Sequence, residues 1–155
     1  MDDTKAKVIS LLREYKNIMP QVKKLDAQMA EMNNLRQMDT LKATTISDMP
    51  SVHEISNPTL DLLCRYETDI ERYAKQINDL LDTKLLIEDM LNSLDTLQRE
   101  IIISRYITNP EFRCDIFDWI GCQVNYSRRQ VIREYNSAMD KLIEYYERVK
   151  EWECA

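Results

Sequence analysis

Apolar side chains recur at Val8, Leu11, Tyr15, Ile18, Val22, Leu25, Met29 and Met32, in steps that alternate three and four residues. That alternation is a heptad seam, a single apolar stripe kept on one side of a helix. Pro20 falls inside the seam but off its stripe, which predicts a kink, or two helices laid end to end. The pattern fades near Leu41. Residues 43–56, ATTISDMPSVHEIS, show no period, and their Thr, Ser, Asp and Pro content predicts a mobile connection. Asn57-Pro58 then supplies an N-cap followed by proline at the first helical position. A second seam runs through Leu63, Tyr66, Ile70, Tyr73, Ile77, Leu80, Ile87, Leu91 and Leu94, with Lys84 at the one place that lacks an apolar residue. A helix over 58–92 would be roughly 52 Å long and cannot bury its stripe alone. The first seam, folded back as an antiparallel hairpin, is the simplest cover. Recruitment of a second chain is the alternative.

The last third reads differently. Asp95 and Gln98 have capping-box spacing and open a short helix through IIISRYI. Asn109-Pro110 repeats the cap-plus-proline signal and opens another helix to about Val124. Ser127 with Gln130 is a further capping box, starting a long helix whose inner stripe is Val131, Tyr135, Ala138, Leu142, Tyr145, Val149 and Trp152. The expected fold class is therefore all-α: a long, coiled-coil-like helical hairpin over 1–92, with its loop at about 43–56, then a compact helical head over 93–155.

Composition narrows the chemistry. The 155 residues include one glycine, Gly121, so glycine-rich phosphate loops and dinucleotide folds are out. The single histidine, His53, lies in the predicted connection, so no serine or cysteine has a credible base. Glu88 and Asp89 are adjacent and point to different helix faces. An enzyme is not expected, nor a cofactor. Cys64, Cys114, Cys122 and Cys154 form no CxxC pair and match no zinc spacing, so they read as reduced structural thiols and no metal site is expected. No apolar run approaches the roughly 18 residues of a membrane span, and the start MDDTKAKV is not a signal peptide. The expectation is a cytoplasmic protein without membrane contact. The net charge of −6 argues against polyanion binding by the whole surface.

Locally the charge reverses. Residues 98–133 hold six arginines against four acids. Within that stretch, Ile120 to Asn136, IGCQVNYSRRQVIREYN, fits a helix-turn-helix. Ile120 is the apolar contact of a first helix, and Gly121 the small residue where the second helix crosses closely. Asn125 suits a left-handed turn. Val124 and Tyr126 flank it as core residues, Ser127 caps the second helix and Val131 points inward. Helical steps of 100° then put Arg129, Arg133 and Asn136 opposite Val131. Ser127 and Arg128 sit in the first turn, where helix amides face a docked phosphate. Arginine matches guanine edges and asparagine adenine edges. The DNA-binding candidates are thus Ser127, Arg128, Arg129, Arg133 and Asn136.

LDTLQREIIISRY, with the motif around YSRRQVIREYNSAMDKL, resembles region 4 of bacterial sigma factors. It resembles still more closely the sigma-like phage transcriptional regulators of the ArpU and RinA kind. The resemblance spans about 94–146. It implies that Leu94, Ile101, Ile102 and Tyr106 belong to a scaffold helix, that Ile120, Gly121, Val124, Tyr126 and Val131 form the motif core, and that the five candidates face DNA. Glu134 departs from the family pattern, which places an apolar docking residue there; Ile132 and Tyr135 are left to share that task, implying a rotated helix. The expected function is a phage-type, late-gene-activator-like regulator acting in a bacterial host on double-stranded DNA, with RNA polymerase as a second partner. A homodimer is expected, since paired heads raise the effective DNA affinity of so acidic a chain. The alternatives are a small terminase subunit for DNA packaging, and a helical protein-interaction or inhibitor module.

Overall fold

The computed structural model describes residues 2–47, 57–108 and 116–154. Every described element is a helix: α1 (Asp2–Ser47), α2 (Asn57–Asn92), α3 (Thr96–Ile102), a π-helical stretch (Ile103–Thr108), α4 (Ile116–Val124) and α5 (Arg128–Cys154). The all-α expectation holds. Among the described residues no helix is long and apolar enough to cross a membrane. His53, Asn109, Pro110 and Cys114 lie outside the described residues.

Of the two alternatives at Pro20, two helices laid end to end is overturned: α1 runs as one helix through that residue, although proline has no N–H to give the carbonyl of Lys16. α1 also continues to Ser47, six residues past Leu41. Ala43 to Ser47 carry no apolar stripe, yet nothing in that stretch is a glycine or proline that would stop helical hydrogen bonding. α2 begins at Asn57, where the Asn-Pro pair predicts.

The chain divides into two compact units. The middle unit is 19–82. Here Arg36 pairs with Glu67 at 3.0 Å, and the Tyr66 hydroxyl hydrogen-bonds Asp39. Rising positions on α1 thus meet falling positions on α2, so the two segments run antiparallel. Val22 and Ile77 are buried, and Leu25, Met29, Leu63, Ile70, Tyr73 and Leu80 are half-buried, as a single shared seam requires.

The terminal unit comprises 1–18 and 83–155. Its core draws on every element: Val8, Leu12 and Ile18 from α1, Ile87, Met90 and Leu91 from α2, Leu94, Ile101 and Ile102 at α3, Tyr106, Ile120, and Val131, Tyr135, Ala138, Met139 and Leu142 from α5. Burying a side chain of this size stabilises by about 1.5–3 kcal/mol. The seam lysine, Lys84, is half-buried, and its Nζ reaches Glu88 at 3.7 Å. Glu88 in turn accepts a 2.9 Å hydrogen bond from the Tyr15 hydroxyl. An ion pair and a hydroxyl therefore stand where the apolar stripe is interrupted. Arg99 braces the turn after α2: its Nε donates at 3.1 Å to the Leu91 carbonyl, which also accepts from the Leu94 amide, and its Nη2 donates to the Leu94 carbonyl at 3.4 Å.

The stripe of α5 is cut shorter than the period suggests. Val131, Tyr135, Ala138 and Leu142 are buried, Tyr145 and Val149 half-buried, but Trp152 is 81% exposed. The helical period extends past the end of the surface that α5 covers.

Candidate nucleic-acid interface

Ser127, Arg128 and Arg129 lie at the junction of α4 and α5, and Arg133 and Asn136 follow within the next turns of α5. α4 ends at Val124 and Asn125 takes a left-handed conformation, φ 61°. The amide of Tyr126 then donates back to the carbonyl of Gly121 at 3.0 Å. This is a Schellman C-cap with asparagine in the place usually held by glycine. Gly121 is required by the same turn. A Cβ there would lie 2.6 Å from the Tyr126 carbonyl oxygen, and 3.7 Å from Cγ2 of Val131. The tight approach is thus to the carbonyl of the turn, with the second helix only in ordinary contact, rather than to the crossing helix itself as the sequence suggested.

α5 starts with a reciprocal cap. The Gln130 amide donates to Ser127 Oγ at 3.3 Å, and the Ser127 amide donates to Gln130 Oε1 at 3.2 Å. This is the capping box predicted from the sequence. Ser127 is therefore committed to its own helix. The earlier pair behaves otherwise: Asp95 is the N-cap of α3 but makes no side-chain cap; its carboxylate lies 3.6 Å from Lys141, and the Gln98 amide is turned toward α5.

Beyond the cap, α5 separates its faces cleanly. Val131, Tyr135 and Ala138 are buried, while Arg129, Arg133 and Asn136, at steps of four and three, are exposed together on the other side. Neither Arg129 nor Arg133 makes an ion pair among the described residues. Arg128 does: its Nε lies 3.6 Å from Asp118 on α4, with both side chains more than half exposed. Solvent weakens such an exposed pair to about 1 kcal/mol or less. Tyr126, expected in the core, is 46% exposed; its backbone, not its ring, does the packing.

Two clusters behind this face escape a reading of the sequence. One surrounds Arg105, on the π-helical stretch. Its guanidinium carbon sits 4.6 Å from the ring centre of Phe117, 5.2 Å from Tyr135 and 5.5 Å from Tyr106. Phe117 meets Tyr135 edge-on at 5.4 Å, and the Tyr106 and Tyr135 hydroxyls share a short hydrogen bond. The rings stabilise the cation where water is scarce. Burial alone would lower the Arg105 pKa, but the two tyrosine hydroxyls outweigh it and hold it above its ordinary value. Burial, then the Tyr106 hydrogen bond, push Tyr135 up to about 12, with Arg105 pulling the other way. This cluster ties the π-helical stretch, α4 and α5 together. Tyr106 and Tyr135 were legible as scaffold and core residues; that Phe117 and an arginine would lie against them was not.

The other cluster centres on Gln98, the one buried polar side chain among the described residues, 3% exposed. Its Nε2 donates to Glu134 at 3.1 Å and to Ser137 at 3.3 Å, and its Oε1 accepts from Lys141 at 3.0 Å. Lys141 also reaches Asp95 at 3.6 Å. Glu134, the residue that departs from the sigma-like pattern, therefore docks α5 by a hydrogen bond in place of an apolar contact. Tyr135 is buried and Ile132 half-buried beside it. The departure at Glu134 was the available signal; its partner, thirty-six residues away, was not.

No family model, curated protein or solved structure matches the chain.

Proposed function

We propose that the chain is a DNA-binding transcriptional regulator of the sigma-like phage type, in which α4 and α5 act as a helix-turn-helix and α5 enters the major groove. The observation that carries this reading is the shared exposure of Arg129, Arg133 and Asn136 on one face of α5, above a turn fixed by Gly121 and Asn125. Arg129 and Arg133 are suited to guanine edges and Asn136 to adenine. Arg128 and the amides of the first turn of α5 contact phosphate and set register. In this reading α1 and α2 form a helical hairpin, the chain works as a homodimer in a bacterial cell, and activation is recruitment of RNA polymerase with no bond chemistry of its own.

The test is selection of a site from random duplexes, followed by a salt titration of the winner. Three or four neutralised phosphates give a logarithmic slope of about −3. Arg129→Ala and Arg133→Ala should each weaken specific binding by about 1–3 kcal/mol if they contact bases. A slope near zero, or selected-site affinity untouched by both changes, sinks the proposal. Light scattering showing a ring of many subunits would point to DNA packaging instead.

A further inference from the structure

Among the described residues, the side-chain hydrogen bonds between α3 and α5 all converge on one residue of α3, Gln98. Ile101 and Ile102 of α3 and Val131, Ala138 and Leu142 of α5 are buried apolar side chains, which carry no directional hydrogen bond and tolerate repacking. The Gln98 amide is directional. Its three partners, Glu134, Ser137 and Lys141, lie at i, i+3 and i+7 along one line of α5, and they satisfy both donors and the acceptor of its amide. A roll of α5 by one residue turns every side chain by about 100°. In one direction it sets Tyr135, Ala138 and Leu142 against Gln98 and leaves the buried amide short of partners. In the other it brings Asp140 to the place of Lys141, like charge facing Asp95.

We propose that Gln98 is a positioning residue: through Glu134, Ser137 and Lys141 it selects one roll of α5, and so decides which side chains α5 presents to a duplex. The second half of the statement rests on the DNA-binding reading above. A buried amide plays the same part in helix pairs where it selects register among apolar alternatives. Glu134 and Lys141 are part-exposed or exposed, so losing Gln98 strands no charge in the core, and the variant Gln98→Leu should fold.

The experiment compares Gln98→Leu and Glu134→Ala with the unchanged chain, using the selected duplex, an unrelated duplex and amide NMR of α5. Gln98→Leu should lose about tenfold in the ratio of selected to unrelated affinity, the effect of about one wrong base contact, while its salt slope stays the same. The amides of Arg128 to Cys154 should double or broaden in both variants, as more than one roll is populated. A role in stability alone would lower the melting temperature and weaken both duplexes in parallel, leaving the ratio and the single set of amide peaks intact; that result overturns the proposal. Failure of both variants to fold overturns it too, since the cluster would then be holding the fold and not choosing within it. Should the unchanged chain select no duplex, the DNA-binding reading fails, and the amide spectra alone decide whether Gln98 sets the roll.

Discussion

The two compact units bury their apolar residues on different terms. In the middle unit, Val22 and Ile77 are the buried apolar positions among the described residues, while Leu35, Met38, Leu41, Leu60, Leu62 and Leu81 remain exposed. In the terminal unit α3 and α4 both pack on α5, and α4 also meets α3 and the π-helical stretch. Ile87, Met90, Ile101, Ile102, Ile120 and Leu142 are each fully buried there. Two paired helices can hide only the strip that faces the partner, whereas a helix with neighbours on several sides loses most of its apolar surface to them. The terminal unit therefore packs its helices on several sides; the middle unit has an orientation and a seam, but little depth.

The largest expected effect tests that contrast directly. Ile102→Ala, in the terminal unit, should cost about 3–5 kcal/mol, because close-packed neighbours cannot collapse into the cavity. Ile77→Ala should cost only about 1–2 kcal/mol, since one side of that seam is near solvent. Urea melts of both variants give the numbers. Amide exchange adds a local measure: middle-unit amides should exchange ahead of those in α3 and α5. Equal costs would mean that the seam is as deeply packed as the core, and the contrast would be lost.

Next in size is Gly121→Ala. The added methyl would meet the Tyr126 carbonyl, on a residue whose amide is held by its hydrogen bond to the Gly121 carbonyl. Overpacking of this kind costs about 1–3 kcal/mol, even after alanine returns some helix propensity. Thermal melts check the stability. The expected signature is that duplex binding falls further than stability does, because the turn that aims α5 must open. No loss in either would show that the turn yields, and that the terminal unit is less rigid than its burial implies.

How far the sequence anticipates each unit follows from the range of the forces involved. The seams are legible because a heptad stripe is a local property, repeated from Val8 to Met32 and again from Leu63 to Leu94. Gly121, Asn125 and the Ser127–Gln130 box are legible for the same reason: each answers a demand of the backbone within about one turn. Misreadings begin where a side chain has a local and a distant option. Gln98 sits at capping-box spacing from Asp95, yet its amide goes to Glu134, Ser137 and Lys141, thirty-six to forty-three residues on. Arg105 carries no local mark of the three rings it joins. Nothing in ISRYIT announces a π-helix, since a wider helical turn is chosen by the packing around it. Tyr126 and Trp152 fit the apolar period but run out of surface to cover. The face with Arg129, Arg133 and Asn136 lies between these cases: periodicity places the three together, but the roll that exposes them depends on Gln98.

The smallest expected effect at neutral pH separates the units by their tyrosines. Tyr135→Phe removes one buried hydrogen bond to Tyr106 and should cost about 0.5–1.5 kcal/mol. At alkaline pH its consequence grows and has a definite sign. The Tyr135 hydroxyl titrates at about 12 in the folded chain against 10.0 ordinarily, chiefly because burial penalises the phenolate. The unfolded chain therefore ionises first. The stability tied to the neutral hydroxyl is intact below about pH 10 and is lost as pH rises through about 12. Tyr135→Phe should flatten this part of the pH–stability curve relative to the unchanged chain. Tyr66, in the middle unit, is also raised, but first by its hydrogen bond to Asp39 and only then by burial. An interaction of that kind near solvent is screened by salt, so Tyr66→Phe should change the same window less, and less still at high ionic strength. Urea melts of both variants between about pH 9 and pH 12, at low and high salt, measure the difference. If Tyr66→Phe flattens the curve as much as Tyr135→Phe and salt leaves it unchanged, the middle unit is drier than its exposed leucines indicate.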